Sequence, residues 1–456
     1  NTGAKDWIYN NNYVDINDPY RHSKWLSMMN NRLQLAKNLL KDDGVLICAI
    51  DENEQARLVL LLEQIFFDHE IHCITIVHNP RGVQGNNFSY THEYAVFVYK
   101  RGSKVIGHRR IDEKDIDWRN LRDNGGESLR TDARNCFYPI LVEEDKIIGF
   151  GEVLSENIHP QSQCEKRGNV FFIYPIDKKG VERKWRYARQ SVEQIADILR
   201  VKRVNNRIEI ELGKDYGTVR TVWQDSRYDA NEYGSKLVNT LIGNSDFNFP
   251  KSIYNTYDCI APILYEKKDA IVLDFFAGSG TTGHSLMLMN KEDGGERRII
   301  LCTNNENQIA ENICFPRIRE VIRGNANYPE ITGIPGKLKY FKTSFVPGEK
   351  TDNNKRLITE RSVEMLCLKE NTFNEIEKEN HWQIFSSKER YTAILFEPEA
   401  IVDFRQRIEQ LEKPVSVYVF SLSDETYADA FVGLEDKVTL CAIPESILKV
   451  YRRIYQ

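Results

Sequence analysis

At 456 residues the chain is long enough for two or three domains, and its 41% hydrophobic and 28% charged content is that of a soluble globular protein. No apolar run approaches the roughly 20 residues of a membrane helix, and no basic-then-apolar leader pattern follows Asn1, so the composition excludes a membrane protein and points to the cytoplasm. The formal net charge of −5 excludes a uniformly basic nucleic-acid binder, leaving that role to a local basic face if it exists.

In chain order, an Asn-rich opening leads to residues 20–40, where Trp25, Met28, Met29, Leu33, Ala36, Leu39 and Leu40 fall on one face of a helix. Gly44 ends it. A buried strand over 45–50 follows, and Asp51 and Glu54 have capping-box spacing for a helix reaching Phe67. Strands over 73–77 and 94–99 complete an α/β pattern. Residues 79–90 between them form a polar, glycine-containing loop of the kind that touches a ligand or base. His92 beyond it reads as a hydrogen-bonded histidine at a strand start rather than a catalytic base.

Residues 105–245 break the alternation with short β-like runs at 140–142, 146–150, 170–173 and 207–212, the pattern of an inserted, largely antiparallel domain. Between Lys178 and Arg207 ten basic residues stand against three acids, a local +7. Trp185 and Tyr187 interleave with them, and Arg119, Arg122, Arg130 and Arg134 form a second cluster. That polarity predicts phosphate contact, with Arg81, Arg119, Arg122, Arg130, Arg183, Lys184, Arg186, Arg189, Lys202 and Arg203 as the DNA-binding candidates.

The chain's organising stretch is an apolar run at 270–273 that ends in Asp274 and turns through Phe275-Phe276-Ala277-Gly278-Ser279-Gly280-Thr281-Thr282-Gly283 into helical spacing. Glycines there let backbone approach a ligand, and the helix start offers unpaired N–H groups. Read literally, it satisfies the dinucleotide fingerprint, so a nicotinamide or flavin enzyme stands as one reading and plain helix–strand packing as another. A strand over 298–303 runs into Asn304-Asn305-Glu306, where nucleotide folds place a ribose ligand, and Asn305 is preferred over Glu306. The loop after Arg323, with Pro329, Gly333, Pro335 and Gly336, marks a boundary before a small α/β domain. The nine cysteines lack framework spacing and read as buried free thiols.

The order of these pieces resembles the beta group of DNA amino-methyltransferases, above all the modification (Mod) subunits of type III restriction-modification systems. The matching residues are Asn1-Thr2-Gly3, His22-Ser23-Lys24-Trp25, Asp43-Gly44-Val45, Ile50-Asp51-Glu52-Asn53-Glu54, His92-Glu93-Tyr94, Phe249-Pro250-Lys251-Ser252 and Val272 through Thr282. The resemblance implies a permuted Rossmann-like methyltransferase core dependent on S-adenosylmethionine. It divides the chain into core at 1–104, a target-recognition domain at 105–245, the cofactor-binding part of the core at 246–328 and a C-terminal α/β domain at 329–456. Phe249, Pro250, Lys251, Asp274, Phe275, Phe276, Ala277, Gly278, Ser279, Gly280, Thr281, Thr282 and Asn305 become the cofactor-binding candidates, with Asp274 facing the α-ammonium group.

The implied activity is adenine-N6 methylation of a flipped base in double-stranded DNA by a homodimer that partners a restriction subunit. One departure stands out: the family's Asp-Pro-Pro-Tyr motif is not in this sequence, so no catalytic residue is assigned. Asn17-Asp18-Pro19-Tyr20 lacks the first proline and reads as a turn before the helix. A catalytically silent DNA-binding or specificity subunit is therefore the rival expectation.

Overall fold

The computed structural model describes residues 18–449 apart from 85–86, 112, 206, 244–246, 248–249, 325–331, 348, 350, 422–426 and 446. The chain separates into two units, Asn1–Lys339 and Tyr340–Gln456.

The first unit opens with a turn at Asp18-Pro19-Tyr20, where Asp18 Oδ1 accepts from the Tyr20 amide at 2.7 Å and sets the start of α1 (Arg21–Leu39). Its apolar stripe is shorter than the sequence suggests. Trp25, Met29 and Leu33 are buried, but Leu39 is 68% exposed; two residues before it Lys37 Nζ donates to the Ile65 carbonyl at the end of α2 (Gln55–Ile65). The predicted capping box also gives way. The Asp51 carboxylate accepts from the Asn53 amide, and Glu54, wholly buried at the helix N-cap, takes His22 Nδ1 at 2.6 Å and so ties α1 to α2.

Both helices pack on a mixed sheet of β1 (Val45–Ile50), β2 (His69–Val77) and the later β5 (His92–Lys100), through Leu58, Leu62, Val96 and Val98. Burying each such side chain contributes roughly 1.5–3 kcal/mol. β1 and β2 each pair antiparallel with β5, so Ile50 lies opposite Tyr94 and Val77 opposite His92. The C-terminal ends of β1 and β2 therefore share one edge with the start of β5. Beyond that edge the β2–β5 ribbon continues into a short hairpin of β3 (Val83–Gln84) and β4 (Ser89–Tyr90).

The chain leaves the sheet through β6 (Arg109–Arg110) and enters a region with its own core of Leu121, Tyr138, Ile140, Ile173, Trp185, Ile208 and Ile210. It contains β7 (Arg119–Asn120), β8 (Ile140–Glu143), β9 (Lys146–Phe150), β10 (Cys164–Arg167), β11 (Val170–Ile173), the single turn α3 (Arg189–Val192), β12 (Leu199–Val204) and β13 (Arg207–Leu212). Two antiparallel sheets result, ordered β10-β11-β8-β9 and β12-β13-β7. β14 (Tyr216–Gly217) pairs back onto β6 as a two-stranded neck, and β15 (Val222–Gln224) rejoins the first sheet parallel to β2.

After α4 (Leu237–Ile242) and α5 (Ile253–Leu264) comes a parallel pair, β16 (Ile271–Asp274) and β17 (Arg298–Leu301), connected by α6 (Thr281–Asp293). α7 (Phe315–Arg323) packs against α4 and α6. Among the described residues β16–β17 is a sheet separate from the β1-β5-β2-β15 sheet. The two still lie side by side. Lys267 Nζ bonds the Asp43 carboxylate at 2.6 Å just before β16 and β1 begin, and Ile47 packs with Val272 and Ile299 around Ile260 and Leu286.

The second unit holds α8 (Asp352–Glu370), whose N-cap Thr351 hydroxyl accepts from the Asn354 amide, then β18 (Asn374–Lys378), β19 (Trp382–Ser386), β20 (Tyr391–Leu395), α9 (Ile401–Glu409), β21 (Val415–Val419) and β22 (Val438–Leu440). The strands form one sheet in that order, antiparallel up to β20 and parallel beyond it. Apolar clusters around Leu366 and Tyr418 and around Phe404 and Val417 supply its core. No helix among the described residues is long and apolar enough to cross a membrane.

Candidate functional site

β16 ends at Asp274 because the chain must turn there. Gly278 and Gly280 take positive φ of 51° and 76°, a conformation that disfavours a Cβ, and a Cβ on Gly280 would also stand 3.1 Å from Cys314 Sγ. The turn is pinned to β17 by Ala277 N–H on the Cys302 carbonyl and Cys302 N–H on the Asp274 carbonyl. Asp274 itself is fixed, accepting from Thr282 Oγ1 at 2.6 Å and from the Phe276 amide at 3.0 Å. Gly280 caps α6 with no side-chain bond, so the first amides of this 13-residue helix are unclaimed by a side-chain cap. Phe276 is 52% exposed beside Phe275, at 5.2 Å between ring centroids.

Ser279 and Thr281 differ from expectation. Both side chains are buried, and both hydroxyls accept from Arg317 Nη1, at 3.0 and 2.8 Å, with the Ser279 carbonyl at 3.3 Å. They can offer a ligand their backbone but not their hydroxyls. Arg317 was not a candidate in the sequence, where it is one arginine in an amphipathic helix. It is fully buried, it has no acidic partner among the described residues, and its Nε and Nη2 lack hydrogen-bond partners. Burial pulls its guanidinium down to about 10. One turn into α6, His284 is also buried with Nδ1 unpartnered, and burial together with Arg317 holds it neutral, well below its ordinary value.

A second cluster lies at the start of β5. The largely buried carboxylate of Glu93 is ion-paired to Lys251 and accepts from Asn255 Nδ2 at 2.7 Å. Burial pushes Glu93 up, but Lys251, His78 and Asn255 outweigh it and leave the carboxyl below its usual range. Its neighbour His92 sets Nε2 3.0 Å from the Tyr94 hydroxyl. Lys251 is thus engaged with Glu93, and Pro250 is buried with its carbonyl against Gly234. Phe249 lies outside the described residues. The two clusters are joined. Lys251 and Asn255 bracket the start of α5, whose Ile253 carbonyl accepts from Ser285 in the first turn and a half of α6 at 2.9 Å.

Asn305 is exposed, and its side-chain oxygen accepts from the Glu311 amide at 3.3 Å, while Asn304 Nδ2 donates to Glu306 at 3.0 Å. Of the cysteines, Cys259, Cys314 and Cys367 are buried, but Cys302 is exposed, and all nine are unpaired.

The basic candidates fare unequally. Arg122 and Arg130 are buried within the inserted region, Arg122 on Glu209 and the Ile176 carbonyl, Arg130 on Glu182 and three carbonyls, so they hold that region together and cannot face a phosphate. Arg119, Arg183, Arg189, Lys202 and Arg203 pair with Asp117, Asp177, Glu193, Glu211 and Asp145. Of these acids only Glu193 lies between Lys178 and Arg207. Lys184 and Arg186, with Lys178, Lys179 and Arg81, have no ion pair among the described residues.

Comparisons with known proteins point to one family. A DNA methylase family profile, covering N6 and N4 amino-methyltransferases, matches residues 4–314. The type II methyltransferase M.KpnI of Klebsiella pneumoniae is 30% identical over 356 residues, 72% of this chain and 79% of that protein. The EcoPI Mod subunit of Escherichia phage P1 is 27% identical over 309 residues (62% of this chain), and the StyLTI Mod subunit of Salmonella typhimurium is 28% identical over 340 (70%). The chain spans 46% of each of those two type III subunits. With the profile covering well over half of the sequence, the chain belongs to the N6/N4 DNA methylase family.

Proposed function

We propose that this chain is a DNA adenine-N6 methyltransferase that uses S-adenosylmethionine, built as a permuted Rossmann-like core with residues 105–245 as its target-recognition domain. The observation that carries the reading is a carboxylate-ended strand and an uncapped helix start, at Asp274 and Thr281, tied through α5 to the His92-Glu93-Tyr94 edge. One fixed carboxylate, helix amides without a side-chain cap and an aromatic pair with Phe276 exposed suit a ligand with an ammonium group, a carboxylate and an adenine. Such a cofactor supplies an electrophilic methyl group carried on sulfonium.

The chain's residues then have separable tasks. Asp274, pre-oriented by Thr282, holds the ammonium end; the first amides of α6 meet the carboxylate; Phe275 and Phe276 flank the adenine; Asn305 or Glu306 is placed for the ribose. The target amine is paired inside the duplex, so the base must leave the stack to be reached. The acceptors for that amine belong to the Asp-Pro-Pro-Tyr motif. That motif is absent from this sequence, so no residue here is assigned that task. We extend the reading to a homodimer that serves beside a restriction subunit, as the resemblance to Mod subunits implies.

The test is transfer of labelled methyl from S-adenosylmethionine to DNA, followed by nucleoside analysis. N6-methyladenine is the expected product. N4-methylcytosine would move the target base, and cofactor and DNA binding with no transfer would make the chain a silent specificity subunit. A thermal shift with NAD and none with S-adenosylmethionine would remove the methyltransferase reading altogether.

A further inference from the structure

The β3–β4 hairpin has no part in the core. It continues the β2–β5 ribbon past the site edge: the His78 and Asn79 amides both bond the Thr91 carbonyl at 3.2 Å, and Val83 and Gln84 pair with Tyr90 and Ser89 beyond them. Phe88 stands next to β4 and is 79% exposed, Tyr90 is 48% exposed, and Ser89 between them is exposed as well, so the ribbon buries neither face at β4. Phe88 is three residues from Thr91, about 10 Å of extended chain beyond the sheet edge at ~3.3 Å per residue. Residues 79–91 contain one cation, the exposed Arg81, and no acid. A protruding aromatic on an acid-free ribbon suits a polyanion that also offers apolar stacking surface, and duplex DNA offers both.

We propose that Phe88 is a wedge that enters the base stack and fills the place of the extruded target base. The proposal rests on the methyltransferase reading and adds to it a residue that touches DNA. Extruding a base loses its stacking on both neighbours, and an aromatic ring slid into the gap restores part of it, so the open state becomes more populated without any new contact to the base itself. Arg81, at the root of the hairpin, would bear on a phosphate flanking the opened step, and Tyr90 would support the ring from β4.

The experiment compares wild type with Phe88→Ala and Phe88→Trp on two duplexes that place 2-aminopurine or adenine at the methylated position, one fully paired and one with an abasic site opposite the target. Phe88→Ala is expected to abolish most of the 2-aminopurine fluorescence rise and to lower kcat/KM on the paired duplex by about tenfold or more, the scale of one aromatic–base stack removed. It should change the abasic-partner duplex less than twofold, because there the opening is already cheap, and Phe88→Trp should recover both signals. Because Phe88 is exposed, the melting temperature without DNA serves as the folding control. Equal losses on both duplexes, or wild-type fluorescence in Phe88→Ala, would overturn the wedge. A wild-type protein that neither opens nor methylates either duplex overturns the parent reading instead, and the wedge with it.

Discussion

Arg317 and His284 show how a single side chain sets the candidate turn. A guanidinium buried without a carboxylate is costly, so removing it relieves a desolvation penalty that offsets the hydrogen bonds lost with it. What Arg317 gives in return is orientation: three bonds from one nitrogen fix Ser279 and Thr281, hence the path of the turn. Arg317→Met is therefore expected to change unfolding free energy by less than about 1 kcal/mol while weakening S-adenosylmethionine binding about tenfold, or ~1.4 kcal/mol, by calorimetry. Comparable losses of stability and affinity would assign Arg317 to the core alone. His284 adds a pH effect. Its folded value lies well below the ordinary 6.5, so below that pH the unfolded chain takes up a proton that the folded chain refuses. The stability present above pH 6.5 is lost as pH falls, by up to ~1.4 kcal/mol per unit from this group. His284→Gln should flatten that part of a urea-midpoint profile between pH 7 and 5.

At the scale of elements, the Glu93–Lys251 pair joins the start of β5 to the start of α5 across the whole inserted region, and Asn255 one turn along reinforces it. Removing the cation strands a largely buried carboxylate that keeps its Asn255 bond, and because Lys251 is itself 38% exposed, solvent screening limits the cost to about 1–3 kcal/mol, which removing both charges avoids. Lys251→Met should thus unfold at clearly lower urea than wild type, and Glu93→Gln combined with Lys251→Met should recover more than half of the loss. An additive double variant would show the two residues to be independent. Glu93 also was legible in the sequence only as part of a motif, because its partner lies 158 residues away. Local pattern gave the strands of the insert well: the runs at 140–142, 170–173 and 207–212 alternate or are continuously apolar, and all are strands. It did not give β18, an exposed edge strand reading Asn-Glu-Ile-Glu-Lys with a bulge between Glu375 and Glu377, where polarity mimics a loop. The glycine turn was legible because its φ demands are written in residue types. Arg317, which props it, was not, because burial is a tertiary property.

For the whole molecule the question is how a chain of net charge −5 meets DNA. Counting charge along the sequence exaggerates the basic face, since Arg183, Arg200, Lys202, Arg203 and Arg207 are met by acids that the fold brings in from Asp177, Glu211, Asp145 and Glu209. The cations left to a phosphate are fewer: exposed Lys178 and Lys179 on the turn before Arg183, half-buried Lys184 and exposed Arg186. Each phosphate that the protein no longer neutralises should reduce the slope of log K against log salt by about 0.9 on duplex DNA. Changing Lys178, Lys179, Lys184 and Arg186 together to Ala is thus expected to weaken binding to every sequence and to flatten the slope by up to about 3.6, with the fold intact. Arg130→Ala should act differently, because Arg130 ties Glu182 to the carbonyls of Leu154, Ser155 and Ile158, so its loss should lower the melting temperature of the insert before it touches the salt slope. An unchanged slope in the fourfold variant would move the DNA face off this side of the insert and leave the pairs at Arg119, Arg189 and Lys202 as cations that must open to meet phosphate.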